Sequence, residues 1–117
     1  MPETSETLVK GAMEEVPSMT CDEYRAMKEK GDTEHVFLDV REKEEWDAGH
    51  VDGAIHIPRG MLEFKVEEAI PDKTKLIILC CARGGRAALA GQTLKKMGYT
   101  DLRVLAGGYM EYCKGLE

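Results

Sequence analysis

Two adjacent cysteines, Cys80 and Cys81, end the apolar run KLIILC, and Ala82-Arg83-Gly84-Gly85-Arg86 follows directly. A strand stopping there, with a helix beginning in GRAALAGQTLKKMG, bends the intervening backbone around one point. Glycines at 84 and 85 permit that bend, including positive φ angles. The free N–H groups of the loop and of the first helical turn then converge on one place, which suits an anion. A cysteine at such a place is favoured as thiolate, the nucleophilic form. Arg83 and Arg86 add positive charge. The combination points to a cysteine attacking an anionic substrate that carries sulfur or phosphorus. Side chains alternate along a strand, so only one of the two cysteines can face the cradle. The plain reading, a small hydrophobe closing a core strand, suits Cys80.

The elements that must position this loop alternate. SMTCDEYRAMKEKGD reads as a helix, with Thr20 and Glu23 as a capping box, Tyr24 and Met27 on one face, and Gly31 as its stop. HVFLDV, 35–40, is a buried strand. REKEEWDAG is a short helical turn ending at Gly49, and AIHIP is a brief strand stopped by Pro58. MLEFKVEEAI is helical up to Pro71. KLIILC is the most strand-like run, and the helix after it places Ala88, Leu89, Leu94 and Met97 near one face before Gly98 closes it. LRVLAGG is a further strand, and YMEYCKG starts a last helix. Strands alternating with helices predict a mainly parallel sheet covered on both faces. Ligands bind such sheets beyond the carboxyl ends of the strands, where the cysteines lie.

The 117 residues fit one domain, read as an N-terminal arm or short helix over 1–14 and a folded domain over 15–117. That length hides roughly two-thirds of the unfolded chain's surface, enough for one core. A formal net charge of −6, with the acidic residues dispersed, argues against a nucleic-acid partner. No signal-peptide pattern opens the chain, and no apolar run is long enough to span a bilayer, so no membrane partner is expected. Cys21, Cys80, Cys81 and Cys113 fit a cytoplasmic location as thiols. Their spacing is not that of a zinc set, and no metal is expected.

The hexapeptide Cys81-Ala82-Arg83-Gly84-Gly85-Arg86 resembles the six-residue active loop of rhodanese-like sulfurtransferases, Cys-x-x-Gly-x-Arg. The following AALAGQTLKKMGYTDLRVLAGG resembles the helix, strand and paired glycines that come next in that family. Upstream, FLDVREKEEWDAGHVDGAIHIP resembles the family's other signature, Asp-x-Arg, an acidic stretch, Gly-His-x-x-Gly-Ala and Ile-Pro. The likeness runs over roughly residues 15 to 113, and two ordered motifs make it specific. It implies a rhodanese-like α/β domain, a small, mostly parallel five-stranded sheet flanked by helices. It also implies a two-step sulfur transfer with no cofactor. Cys81 takes sulfur from a donor such as thiosulfate as a persulfide and passes it to cyanide, a thiol or a protein. In the family's pattern Arg86 braces the loop through a carboxylate, with Asp39 its expected partner. Arg83 points toward substrate, and Arg41 either orients the site or forms a surface ion pair.

Counted from Cys80, five residues separate a cysteine from Arg86, the spacing of cysteine-dependent phosphatases and arsenate reductases of the same fold. Leu79 where those phosphatases carry histidine, Gly84 at the sulfurtransferase position and the lack of an aspartate after the loop argue against that alternative. A non-catalytic binding module and a sulfur-relay module are further alternatives, the first disfavoured by the intact Cys81. His50 reads as structural, joining a turn to the sheet. Trp46, Phe37 and Phe64 read as core or edge packing. His35 and His56 show no partner, and Cys21 and Cys113 read as incidental.

Overall fold

The computed structural model describes residues 2–32 and 34–115. In chain order the elements are α1 (Ser5–Glu15), β1 (Ser18–Met19), α2 (Cys21–Glu29), β2 (Val36–Asp39), α3 (Lys43–Ala48), β3 (Ile55–His56), α4 (Leu62–Ala69), β4 (Leu76–Cys80), α5 (Gly85–Lys96), β5 (Asp101–Leu105) and α6 (Gly108–Lys114). The strands form one five-stranded sheet in the order β1-β5-β4-β2-β3. Every pairing is parallel. The expected α/β architecture is therefore present, with the sheet wholly rather than mostly parallel.

Alternation along the central strands builds two cores. Leu38, Val40, Ile77, Leu79 and Cys81 face one side, beneath Ala12 and Val16 of the first helical segment, Leu62 and Val66 of α4, and Ala87, Ala88 and Leu94 of α5. Phe37, Ile78 and Cys80 face the other, beneath Cys21 and Tyr24 of α2 and the partly buried Tyr109 and Tyr112 of α6. A parallel sheet covered on both faces requires apolar residues at successive strand positions, which is why VFL and LIILC read as unbroken runs.

Of the arm and the short helix left open for residues 1–14, the helix is what forms, as α1, capped by Thr4, whose hydroxyl accepts the Thr7 N–H. Two sequence expectations need correction. Ser18 and Met19 are not helical; they form β1, in register with Val104 and Leu105. The Thr20–Glu23 capping box does begin α2, with N–H to side-chain distances of 3.0 and 2.8 Å. A two-residue strand carries no readable period, so the helix pattern absorbed it. Phe64 is 81% exposed. Leu62 and Val66 share the buried stripe of α4, and a residue midway between them points to water.

Helix α1 docks on α5 across a glycine. A Cβ at Gly91 would lie 3.0 Å from both Val16 methyls and 3.1 Å from Leu79 Cδ1. The Gly91→Leu substitution overfills that contact and is expected to cost about 1–3 kcal/mol in urea unfolding. An unchanged midpoint would show that α1 sits loosely.

Candidate active site

The register of the central strands brings the site together. Asp39 pairs with Cys80 on one side and with His56 on the other, so the carboxyl ends of β2, β3 and β4 share one edge. Beyond that edge the chain turns at Gly84, whose φ is +120°, and enters α5. Cys81 Sγ lies inside the turn. It accepts the Gly84 N–H at 3.0 Å and the Ala87 N–H at 3.4 Å. The residue is only 2% exposed.

The loop's carbonyls face outward because α6 holds them. Its first turn donates Tyr109 N–H to the Cys81 carbonyl at 2.8 Å and Met110 N–H to the Ala82 carbonyl at 3.1 Å. This approach needs two left-handed glycines, Gly107 at φ +76° and Gly108 at +65°. A Cβ at Gly108 would overlap the Cys81 carbonyl oxygen and the Ala82 backbone. Gly108 is thus a steric requirement of the loop, and Gly107 is needed for its left-handed φ.

Cys80 faces away. It is fully buried in the other core, and its thiol donates to the Cys81 carbonyl at 3.4 Å. Burial, then the Asp39 charge, push its ionisation far upward, so it stays a thiol. The alternative reading built on Cys80 therefore has no nucleophile on the loop side.

The expected Asp39–Arg86 brace is absent, and each residue has another partner. Arg41 grips Asp39, with Nε at 3.0 Å from both carboxylate oxygens and a terminal nitrogen at 2.8 Å from Oδ2. The Arg41 backbone N–H also donates to Asp39 Oδ1, at 3.0 Å. A residue two positions along reaches both oxygens first, and nothing remains for Arg86. Arg41 is 4% exposed, so it is not a surface ion pair. It also donates to the Gly49 carbonyl at 2.8 Å, and its guanidinium lies 4.3 Å from the centre of the Tyr109 ring. Arg41 therefore ties the β2 edge to the helix that holds the loop.

Arg86 forks instead onto Glu45 of α3, at 2.8 and 3.0 Å. That fork holds the Glu45 carboxyl down to about 2, and Glu45 in turn raises Arg86. Arg83 is exposed at the rim, and its Nε donates to Met110 Sδ at 3.4 Å. Ala82 is half-buried at the turn and Gly85 opens α5.

Sequence reasoning missed Glu45, Tyr109 and His56. His56 Nε2 donates to the Arg41 carbonyl at 2.8 Å, and so it is the histidine that ties the turn to the sheet. His50 instead donates Nδ1–H to the Trp46 carbonyl at 2.9 Å and stacks on the Trp46 ring at 3.5 Å. His35 meets the Tyr24 hydroxyl at 2.9 Å. Glu45 lies within the acidic stretch of the upstream motif, but nothing in the spacing singles it out from Glu42 or Glu44.

A family profile described as "Rhodanese-like domain" matches residues 20–114. The chain is 35% identical over 71 residues to the thiosulfate sulfurtransferase PspE of Escherichia coli, covering 61% of this chain and 68% of that one. It is 37% identical over 89 residues to the putative sulfur carrier protein YrkF of Bacillus subtilis, covering 74% of this chain and 47% of that one. Several other curated relatives are matched over a quarter of their length or less, so in them the domain is one part of a longer protein. Among solved structures, a Rhodopseudomonas palustris protein of unknown function, described as a possible tyrosine phosphatase, superimposes with TM-score 0.86 at 26% identity. That match covers 98% of this chain and 96% of the other.

Two outcomes follow from the geometry. Gly108→Ala forces a left-handed φ on a Cβ, costing about 1–2 kcal/mol, and displaces the loop carbonyls besides. It is expected to lower the melting temperature and to change the alkylation rate of Cys81; a variant matching wild type in both would mean that α6 does not set the loop. Glu45 is depressed in the folded state from 4.5 to about 2. Its contribution is therefore complete above pH 4.5 and disappears as the pH falls toward 2. About a third of each partner is in water, so the fork is worth only about 1 kcal/mol. Glu45→Gln should lower stability by that amount at pH 7, and the gap to wild type should close on acidification. A gap independent of pH would remove the charge from the explanation.

Proposed function

The chain belongs to the rhodanese-like domain family, and on that premise we propose that it is a sulfurtransferase carrying sulfur as a persulfide on Cys81. The observation that carries the reading is the pair of backbone N–H groups directed at Cys81 Sγ. In the first step the Cys81 thiolate attacks the outer sulfur of thiosulfate. The sulfur–sulfur bond of thiosulfate breaks, and sulfite leaves with the electron pair. The product is a Cys81 persulfide, whose negative charge the loop N–H groups stabilise. In the second step a nucleophile, cyanide carbon or a thiolate, attacks the terminal sulfur, and Cys81 leaves as thiolate. Splitting one transfer into two displacements is ordinary covalent catalysis. No step needs a metal or an organic cofactor.

Each residue of the site has a part in this reading. Ala82, Arg83, Gly84 and Gly85 form the wall of the loop, and Gly84 supplies an N–H. Arg86 and Glu45 pin the start of α5. Asp39 and Arg41 hold α6 against the loop through Tyr109. Arg83 is the cation at the rim and meets the thiosulfate dianion. The similarity to PspE supports thiosulfate as donor, and that to YrkF supports a carrier that hands sulfur to a partner. Four free thiols suit the reducing cytoplasm as the place of action.

Incubation with thiosulfate followed by peptide mass spectrometry is expected to find one added sulfur on Cys81, retained in Cys80→Ser and lost in Cys81→Ala. Sulfur on Cys80 would overturn the assignment. Arg83→Ala should leave the melting temperature within about 3 °C, since exposed substitutions fall within about 0.5 kcal/mol. It should raise the KM for thiosulfate and have little effect with a neutral persulfide donor. An equal loss with both donors would take Arg83 out of anion recognition.

A further inference from the structure

Among the described residues, five of the six arginines pair with a carboxylate within 4.0 Å, and Arg83 is the exception. Its Nε donates instead to Met110 Sδ, at 3.4 Å. Carboxylates nevertheless share its surroundings. Arg83 borders an open cleft of about 1040 Å³ along α1, and Glu6 and Glu14 line the same cleft. Lys10 stands four residues from each of them and offsets one, so one negative charge is left over. A thioether is a weak acceptor, and a flexible cation would ordinarily take a carboxylate in preference. That preference is small at an exposed site, because holding two long side chains still offsets most of what the pair gains. Anchorage tips the balance. The Met110 N–H donates to the Ala82 carbonyl at 3.1 Å, so the backbone that carries the sulfur is fixed against the loop that carries Arg83.

Resting on the sulfurtransferase reading, we infer that Met110 is a positioning residue: its thioether holds Arg83 on the α6 side of the loop and off the α1 carboxylates. Held there, the guanidinium keeps its charge for an anionic sulfur donor. Released, it turns into the cleft and meets Glu6 or Glu14, and the loop loses its free cation. Met110 therefore sets how strongly the site prefers an anionic donor over a neutral one, and it acts through Arg83. The competing carboxylates stand on α1, which lies outside the residues that the family profile matches.

The test alkylates the full chain with iodoacetate, an anion, and with iodoacetamide, its neutral counterpart. Peptide mass spectrometry reads Cys81 apart from the other cysteines. The ratio of the two rates at Cys81 reports positive charge beside the loop and cancels changes in thiolate reactivity. Met110→Leu keeps the volume and removes the acceptor. It is expected to lower the ratio roughly two- to threefold, the scale of one contact at an exposed site, and Arg83→Gln should lower it at least as much. Met110→Gln puts an amide oxygen in place of the sulfur and should stay near wild type. Adding Met110→Leu to Arg83→Gln should change nothing further. Adding Glu6→Gln and Glu14→Gln to Met110→Leu should recover most of the loss, and the same pair should change the ratio less when Met110 is intact. In turnover, Met110→Leu should raise the KM for thiosulfate and spare kcat. An unchanged ratio in Met110→Leu would overturn the proposal. So would a further fall in the Arg83→Gln background, or a loss that the two glutamines leave in place. If thiosulfate leaves no sulfur on Cys81, the sulfurtransferase reading fails, and the alkylation ratios decide the role of Met110 all the same.

Discussion

Everything in the site depends on two hydrogen bonds that do not touch the reactive sulfur. The first turn of α6 takes the carbonyls of Cys81 and Ala82. Those carbonyls share their peptides with the Ala82 and Arg83 N–H groups, so α6 fixes the first two peptide planes of the loop, and the turn that follows brings the Gly84 N–H to Cys81 Sγ. Without outside donors for the carbonyls, the loop would be free to present mixed dipoles to the sulfur. The requirement reaches back to two glycines, because no side chain fits between Gly108 and the Ala82 backbone. It reaches across the sheet as well, since Arg41 bears on Tyr109 and is itself gripped by the buried Asp39.

The charges around the loop follow from what those contacts leave over. Asp39 is consumed by Arg41, and Arg86 by Glu45. Both forks are bidentate, which fixes direction as well as distance. They serve different ends: the Asp39 fork is buried and sets the frame, while the Glu45 fork is a third exposed and steadies the start of α5. Arg83 is the loop cation that neither fork uses. On the proposed reading that charge meets the thiosulfate dianion.

The sequence carried the frame of this molecule more fully than its fastenings. The unbroken run in β4, the glycine pair and the long helix after it were legible because each obeys a local rule of period or turn. The alternation argument also separated Cys81 from Cys80, which face opposite cores. The fastenings were not legible, because they are choices made across the fold. Arg86 and Glu45 are 41 residues apart, and three glutamates of one short segment were equally placed on paper. Arg41 was undecided because burial, not spacing, separates a frame-setting fork from an idle surface pair. Phe64 was misplaced for a simpler reason: its helix already had its buried stripe in Leu62 and Val66, and a residue between them has nowhere to go but outward.

Adjacent cysteines pose a problem of register that the sheet solves. Both sit at the end of β4, one residue apart, and their chemistry differs because a strand sends neighbours to opposite faces. Cys80 is buried among largely apolar side chains, with the Asp39 charge nearby, and both oppose ionisation. Cys81 meets the ends of backbone dipoles. Had the strand ended one residue earlier, the larger spacing from Cys80 to Arg86 would have framed the loop, with room for a tetrahedral oxyanion. The parallel pairing of Asp39 with Cys80 fixes the end of the strand where it is. The N–H groups consequently close around one sulfur atom, and that is the physical content of reading this loop as a carrier of sulfur.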